Sequence, residues 1–532
     1  MSVHVFDNDK ISPLELDTIA LEIILGLQND AVYSQNQIKW PNIISSPPSE
    51  WYGPWSEYYY GYWWGAAGIG DIFLRFYQEF GNQSFLSQAE LAANFIQEGG
   101  TPYPGGGLYW NKTDESILQY YGMKYGNAGI AKFFLHLYEQ TGNATHLAAL
   151  NSALLPLEME AHNDTVSQTT YWGIAINDTR DCTGVTYGTA GIAGVFLEAG
   201  SSLNNASWIT LATRSGRWLE NISRIDEVND TMAISWSTQE PFNETLYTGL
   251  GSGNAGIGMF FLDLYRETGD IRWIEDAKRI GNWLLLNMIN GSWTYGGVGY
   301  STETDEGDII TGMDGGAAGI GTFLLYLYNE TSELKYANGV IEAAKWLLNH
   351  AIAAEIGIKW PKAITGRDNG VFLTGYSYGA AGIGDFFRLA YEMFGCSRFE
   401  EAMLGAVKWL DSQRTQLDRF VAATGNIRFT NSLNQRGNHL SYYDGAAGIT
   451  LFFVNAAKSF NSTAVHQSVV SCENLPPLPI FTPTDSSSQT TGTSHTEQSS
   501  LMEDLFLPFL GMLGISSIIA VIVVVTKKKV DI

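Results

Sequence analysis

The sequence predicts an all-α fold: an (α/α)7 toroid of seven helical hairpins, followed by a stalk and one C-terminal transmembrane helix. Three observations carry this. A glycine motif occurs seven times, as in YGYWWGAAGIGDIF from Tyr60 and TGYSYGAAGIGDFF from Thr374. The glycine of its Ala-Gly-Ile triplet falls at Gly68, Gly129, Gly191, Gly256, Gly319, Gly382 and Gly448, with separations of 61, 62, 65, 63, 63 and 66 residues. So regular a period marks a repeat architecture. Each motif then runs into two helical patterns. The first is mostly apolar, as in GIGTFLLYLYNET from Gly319, and the second is amphipathic, as in LKYANGVIEAAKWLLNHA from Leu334. A helix apolar nearly all round must be enclosed, whereas an amphipathic one can face water. Enclosed and exposed helices alternating seven times close into a ring.

The elements follow in chain order. Ser12-Pro13-x-Glu15 reads as a helix start with a capping box. No charged segment followed by an apolar stretch precedes it, so the N-terminus is read as a truncated or mature start rather than a signal peptide. In the hairpins, Trp218, Trp283, Trp346 and Trp409 each lie 27 residues after their motif glycine, with Phe95 at that place in the first repeat. The long connections open on an aromatic: Trp40, Trp110, Trp172, Trp236, Trp293, Trp360 and Phe429. The toroid is assigned to residues 1–470, a Pro/Ser/Thr-rich stalk to 471–504, the membrane helix to 505–525 and a basic cytoplasmic tail to 526–532. Leu505 to Val525 is 21 residues without a charge, followed by Lys527, Lys528 and Lys529, which mark the cytoplasmic side. The stalk cannot pack a core and reads as a solvated, O-glycosylated spacer.

This topology puts the body outside the cell. Twelve Asn-x-Ser/Thr sequons agree with it, at Asn82, Asn111, Asn143, Asn163, Asn177, Asn205, Asn221, Asn229, Asn243, Asn290, Asn329 and Asn461. A tail-anchored cytosolic protein is the rival reading, but it places the lysines on the wrong face. The net charge of −25 argues against nucleic acid or anionic lipid as partner. Cys182, Cys396 and Cys472 are too few for a disulfide framework, although one pair could bridge.

The sevenfold GxAGI motif, extended to TGxxxGxAGI in four repeats, resembles the lanthionine synthetase C-like family, over about Ser12 to Ser468. The resemblance implies the toroid and, in members that act as cyclases, a zinc ion held by two cysteines and a histidine that activates a peptide thiolate. Those ligands stand directly before the motif glycine. Here these places hold Trp63-Trp64, Lys124-Tyr125, Thr186-Tyr187, Gly251-Ser252, Asp314-Gly315, Ser377-Tyr378 and Tyr443-Asp444. None is a cysteine or histidine, so zinc-cyclase activity does not carry over and no cofactor is expected, with calcium the one ion left open.

What remains at the mouth is aromatic. Trp63, Trp64, Tyr125, Tyr187, Tyr376, Tyr378 and Tyr443, with His439 in the last mouth loop, are the candidate ligand-binding residues. Aromatics around a water-filled opening stack on sugar rings or peptide side chains, or else pack the ring centre. Asp314 and Asp444 are the candidate catalytic pair of a glycosidase-like enzyme, a reading with analogous scaffolds only. The same acids, with Asp181, Asp305, Glu306 and Asp308, could hold calcium or cap the inner helices. Seven inner-helix N-termini are expected to offer free N–H groups to an anionic or polar ligand. The first expectation is thus an extracellular, membrane-anchored ring that binds or modifies a peptide or glycan. The alternative is a carbohydrate-active enzyme using the two acids.

Overall fold

Ser12 opens the first helix as its sequence requires. Its side chain and that of Glu15 cap each other's backbone in a full capping box, and Pro13 stands in the first turn. The computed structural model describes residues 11–480 apart from 42, 46–57, 115, 177, 179, 229–230, 238, 241–245, 294–307, 367, 415–436 and 462–469. The described residues belong to one compact unit; residues 482–532, with the expected membrane helix, lie outside the described residues. Among the described residues no helix is long and apolar enough to cross a membrane.

The helices are α1 (Pro13–Asn29), α2 (Ala66–Phe80), α3 (Gln83–Gly99), α4 (Asn127–Thr141), α5 (Ala144–Met159), α6 (Thr189–Ser202) and α7 (Ala206–Ile222). They continue with α8 (Asn254–Thr268), α9 (Ile271–Leu286), α10 (Ala317–Thr331), α11 (Leu334–Asn349), α12 (Ala380–Phe394), α13 (Ser397–Ser412) and α14 (Ala446–Asn461). Each even-numbered helix from α2 to α12 packs on the helix that follows it. The seventh inner helix, α14, packs instead on α1, so the last hairpin is built from both ends of the ring. The inner helices touch in the order α2, α4, α6, α8, α10, α12, α14 and back to α2, which closes the toroid.

Each hairpin turn is short for a stated reason. Gly81, Gly142, Gly269 and Gly395 end their inner helices at φ of 66°, 63°, 66° and 69°, the left-handed region that glycine enters freely. The next residue caps the outer helix: Asn82, Asn143 and Asp270 accept from the backbone N–H two residues on. Asn205 caps α7 in the same way. Three of the sequon asparagines, Asn82, Asn143 and Asn205, therefore have a helix-capping role of their own.

The loop tryptophans close the outer helices. The indole N–H groups of Trp40, Trp110, Trp172, Trp236, Trp293 and Trp360 donate to the carbonyls of Leu27, Ile96, Leu157, Leu219, Leu284 and Leu347, near the C-terminal ends of the preceding outer helices. Each is buried, so one residue supplies both core volume and a carbonyl partner. Phe429, its expected seventh counterpart, lies outside the described residues.

The connections are not bare loops, which amends the all-α expectation. Short antiparallel ribbons follow the outer helices, such as Val32–Ser34 with Gln37–Lys39 and Arg224–Val228 with Thr231–Ser235. A disulfide joins Cys396, at the start of α13, to Cys472, with Cα atoms 5.7 Å apart.

The Gly of each Ala-Gly-Ile triplet sits where the chain can carry no side chain. A Cβ at Gly68, Gly319 or Gly382 would come within 1.8, 1.8 and 1.9 Å of the carbonyl oxygen of its own motif turn. The preceding repeat also lies against this position: Tyr442 on Gly68, Tyr62 on Gly129, Met313 on Gly382 and Tyr376 on Gly448. The motif is therefore the joint by which each repeat seats on the next.

Candidate functional site

The seven motif turns meet at the ring axis, where one residue of each joins a run of six backbone hydrogen bonds. Lys124 N–H donates to Thr186 O at 3.2 Å, Thr186 to Gly251 at 2.9 Å and Gly251 to Asp314 at 3.0 Å. Asp314 donates to Ser377 at 2.8 Å, Ser377 to Tyr443 at 2.9 Å and Tyr443 to Trp63 at 2.9 Å. All seven stand at the same place before their motif glycine, and the candidates Trp63, Asp314 and Tyr443 are among them, so the fold gathers these into a single floor.

The same turns satisfy the inner-helix N-termini, which corrects one expectation. Ala66 and Ala67 donate to Tyr59 O and Tyr60 O, Ala317 and Ala318 to Ile310 O and Thr311 O, and Ala380 and Ala381 to Leu373 O and Thr374 O. The leading N–H groups of these helices are thus consumed within the motif instead of facing a ligand. The caps themselves are Gly65, Gly126, Gly188, Gly253, Gly316 and Gly379, none with a side-chain hydrogen bond. Asp314 is consequently not a cap; its turn ends on Gly316.

Aromatic rings from repeats one to three cluster beside the floor, with Tyr59, Tyr120 and Tyr125 buried and Trp64 and Tyr187 partly exposed against them. Tyr125 lies 5.7 Å from Tyr59, 6.0 Å from Trp64, 5.5 Å from Tyr120 and 6.2 Å from Tyr187, centroid to centroid. A second cluster joins the last repeats to the first. Trp63 stacks on Tyr443 at 4.5 Å and 9°, and Tyr378 meets Tyr443 edge-on at 6.3 Å. Repeats four and five contribute Gly251, Ser252 and Gly315 at these places, so the aromatic crescent has one side of small residues.

Lys124 lies between the two clusters. Its Nζ stands 4.8 Å from the Trp64 ring centre, 5.3 Å from Tyr125, 5.8 Å from Tyr187 and 5.8 Å from Tyr443. Burial pulls its pKa down, against the opposing pull of Asp444 and Asp314. The two acids are half-buried. Tyr378 Oη donates to Asp314 Oδ2 at 2.6 Å, and Ser377 Oγ donates to Asp444 Oδ1. Burial raises the pKa of each; the Tyr378 and Tyr443 hydroxyls counter it at Asp314, and Ser377 and Lys124 at Asp444. A floor of two protonatable carboxyls and one desolvated amine can hydrogen-bond hydroxyls or carbonyls and move a proton.

Other candidates fall elsewhere. Tyr376 faces the axis one layer below the floor, where its hydroxyl donates to Asp385 Oδ2 at 2.7 Å. His439 pairs through its backbone with Ile43, and its side chain lies outside the described residues. Asp305 and Glu306 are also outside them. Asp181 belongs to a ribbon with Glu240, away from that run. Sequence reasoning passed over Lys124, because a lone lysine in a loop reads as solvated; the signal was its place in the motif register that holds Asp314.

Below the floor the inner helices carry a second set of charges. His136 bridges Asp71, at 2.6 Å from Nδ1, and Glu198, at 3.0 Å from Nε2, joining α2, α4 and α6. Tyr62 and Arg75 also bind Asp71, at 2.5 and 3.0 Å, and Lys132 pairs with Glu198. On α12, Arg388 pairs with Asp385 at 2.6 Å and Glu392 at 2.7 Å. Against the opposing effect of burial, Asp71 and Glu198 hold the His136 pKa up at about 9.

The donors do not fit the zinc site of the cyclases. The family's ligand places hold the residues of the floor, and Cys396 and Cys472 are bonded to each other. Cys182 is buried beside Tyr59, Tyr120 and Tyr125, with its thiol pushed up to about 12 by desolvation. Among the described residues no three His, Cys, Asp or Glu side chains converge as metal ligands.

Residues 64–303 match the model of the lanthionine synthetase C-like protein family. No curated protein matches the chain. Among solved structures, nisin cyclase aligns at a TM-score of 0.49 and 14% identity, over 75% of this chain and 92% of its own. A D-mannose isomerase aligns at 0.48 and 11% identity, over 76% and 98%. An alpha-1,6-mannanase from Salegentibacter aligns at 0.41 and 14% identity, over 84% and 100%.

Proposed function

We propose that this chain, which belongs to the lanthionine synthetase C-like family through residues 64–303, is a membrane-anchored extracellular ring that binds a peptide or glycan in its aromatic mouth. The observation that carries this is the crescent of Trp63, Trp64, Tyr125, Tyr187, Tyr378 and Tyr443 beside a floor holding Lys124, Asp314 and Asp444. Flat apolar faces beside a few convergent polar groups suit ligands that are apolar on one side and hydroxylated or amide-bearing on the other. The floor lacks the donors for thiolate activation by zinc, so the reading does not include thioether formation.

The extracellular, anchored placement rests on three supports. Twelve sequons and the apolar stretch Leu505 to Val525 with its trailing lysines are two. The Cys396–Cys472 bridge is the third, since such bonds persist in oxidising compartments. Peptide mapping of the native protein is expected to find glycans at exposed Asn82 or Asn290; unmodified asparagines throughout would sink this placement.

The binding test uses the full chain in detergent micelles against neutral oligosaccharides and short peptides, read by calorimetry. Trp63→Ala is expected to weaken binding about 10-fold or more, on the order of 1–3 kcal/mol for a lost stacking face. Unchanged affinity would reject the mouth as the site. A second reading, hydrolysis of a glycan, is favoured by one observation: two half-buried carboxyls of raised pKa share the floor. Under it, Asp314→Asn and Asp444→Asn each abolish turnover while leaving binding in place.

A further inference from the structure

We propose that Lys124 is a nucleophilic amine and that the mouth takes a ligand bearing an aldehyde or ketone, held as a reversible imine on Nζ. This deepens the reading of the mouth as the ligand site and rests on it.

The position of the amine argues for chemistry rather than structure. Lys124 stands at one end of the run of backbone hydrogen bonds at the ring axis, and its Nζ has four ring faces between 4.8 and 5.8 Å away. Among the described residues no carboxylate, carbonyl or hydroxyl takes a hydrogen bond from it. Lys132, on the next turns of the same repeat, is tied to Glu198, and on the outer helices Lys278 is tied to Glu275 and Glu333. Those two lysines are held by carboxylates, whereas Lys124 is held among ring faces.

Burial works against the charge on Lys124, while Asp444 and Asp314 work for it. A ring face stabilises an ammonium by roughly 0.5–2 kcal/mol, whereas lost hydration works against the charge, and the net direction at Nζ is toward the free amine. The second amine beside the same cluster, Lys112, lies 4.9 Å from the Tyr125 ring and adds, after those larger influences, to the effect of burial. Desolvated lysines beside like charge are the environment in which amines attack carbonyls near neutral pH.

The floor also supplies the proton traffic. The Nζ lone pair attacks the carbonyl carbon, and the carbonyl oxygen takes a proton from the Asp444 carboxyl. The resulting carboxylate takes a proton from nitrogen, leaving a neutral carbinolamine. Asp444 then protonates the hydroxyl, which departs as water while the nitrogen lone pair forms the C=N bond. The iminium proton returns to Asp444. One amine and one carbonyl give one imine and one water, with no change of oxidation state. Asp444 suits this because Ser377 holds only its Oδ1 and burial raises its pKa.

The test treats the full-length protein in micelles with glycolaldehyde and sodium cyanoborohydride at pH 7, which fixes any imine as a secondary amine. Peptide mass mapping then reads the rate at each lysine. Lys124 is expected to react at least about 10-fold faster than the outer-surface Lys335 and Lys345, because each unit of pKa lowering gives ten times more free amine. Its rate should show a lower pH midpoint than theirs, and Asp444→Asn should slow it. Lys124→Arg and Lys124→Met should both remove the fast site at unchanged melting temperature. Labelling of Lys124 no faster than Lys335 in the wild-type chain overturns the proposal, whatever the variants do and even where oligosaccharides bind. Fast labelling that leaves calorimetric binding of sugars and peptides absent would instead overturn the mouth as a glycan or peptide site while leaving the amine.

Discussion

The axis of this ring holds two layers of charge, and they are handled in opposite ways. In the layer among the inner helices, every main charge is answered: Asp71 has Tyr62, Arg75 and His136, Glu198 has Lys132 and His136, and Asp385 has Tyr376 and Arg388. At the floor of the mouth, Lys124 has ring faces in place of a carboxylate, and Asp314 and Asp444 receive neutral hydroxyls. The pKa directions record the same contrast. Against the effect of burial, His136 is held up at about 9 by its carboxylates and Glu198 down at about 2, so both stay charged. Asp314, Asp444 and Lys124 are all pushed toward their neutral forms. Charges that are fully paired hold helices together, and charges left under-satisfied are available to a ligand.

The sharpest break of this comparison is Asp71→Asn. The Asp71 side chain is 1% exposed, and its loss leaves Arg75 and His136 sharing too little negative charge in a buried layer. Removing one partner of such a network is expected to lower stability by about 3–5 kcal/mol, measured by urea unfolding. A loss below about 1 kcal/mol would mean that the layer is not structural.

A smaller effect follows from pH. The folded pKa of His136 lies above its unfolded value of 6.5, at about 9. Its contribution is therefore complete below pH 6.5 and is lost as pH rises through about 9. The shift corresponds to roughly 3 kcal/mol as an upper bound, shared with Asp71 and Glu198. Unfolding free energy should fall between pH 6.5 and 9 in the wild type, and His136→Gln should flatten that slope. An equal slope in both would assign the loss to other groups.

The two layers were unequally legible. The ring itself was readable because its period is carried by glycines that tolerate no Cβ, so the motif cannot drift from repeat to repeat. The capping box at Ser12 and Glu15 was local and readable too. That α1 completes the hairpin of α14 was not, since nothing in a local pattern reports which helix packs on which across more than four hundred residues. The ribbons were missed because strands of two to five residues carry too little alternation to register. The floor was half legible: the motif register named Trp63, Asp314 and Tyr443 but gave no reason to weigh Lys124. The lower charged layer was unread, because Asp71, His136 and Glu198 interrupt otherwise apolar helices once each and meet only when the helices are side by side. Tyr376 shows the limit of register as a guide. It sits one residue from Ser377 in sequence, yet its ring goes to the lower layer and its hydroxyl to Asp385.

The smallest expected effect is the most discriminating one. Asp444 is raised in pKa by burial, so its ionised form is disfavoured by folding, and any contribution it makes grows as pH falls. Asp444→Asn keeps the size and the hydrogen-bond acceptor for Ser377 while removing a charge that the fold resists. The variant is therefore expected to lie within about 1 kcal/mol of the wild type in stability at pH 7, on the neutral or favourable side. The same asparagine exchange at Asp71 is strongly unfavourable, because there the charge is what its neighbours require. If both exchanges destabilised alike, the floor would be a second structural layer, and its aromatics would be packing rather than a ligand surface. If Asp444→Asn is silent in urea while it slows reaction at Lys124, the acid is held at the mouth for chemistry that the fold does not need.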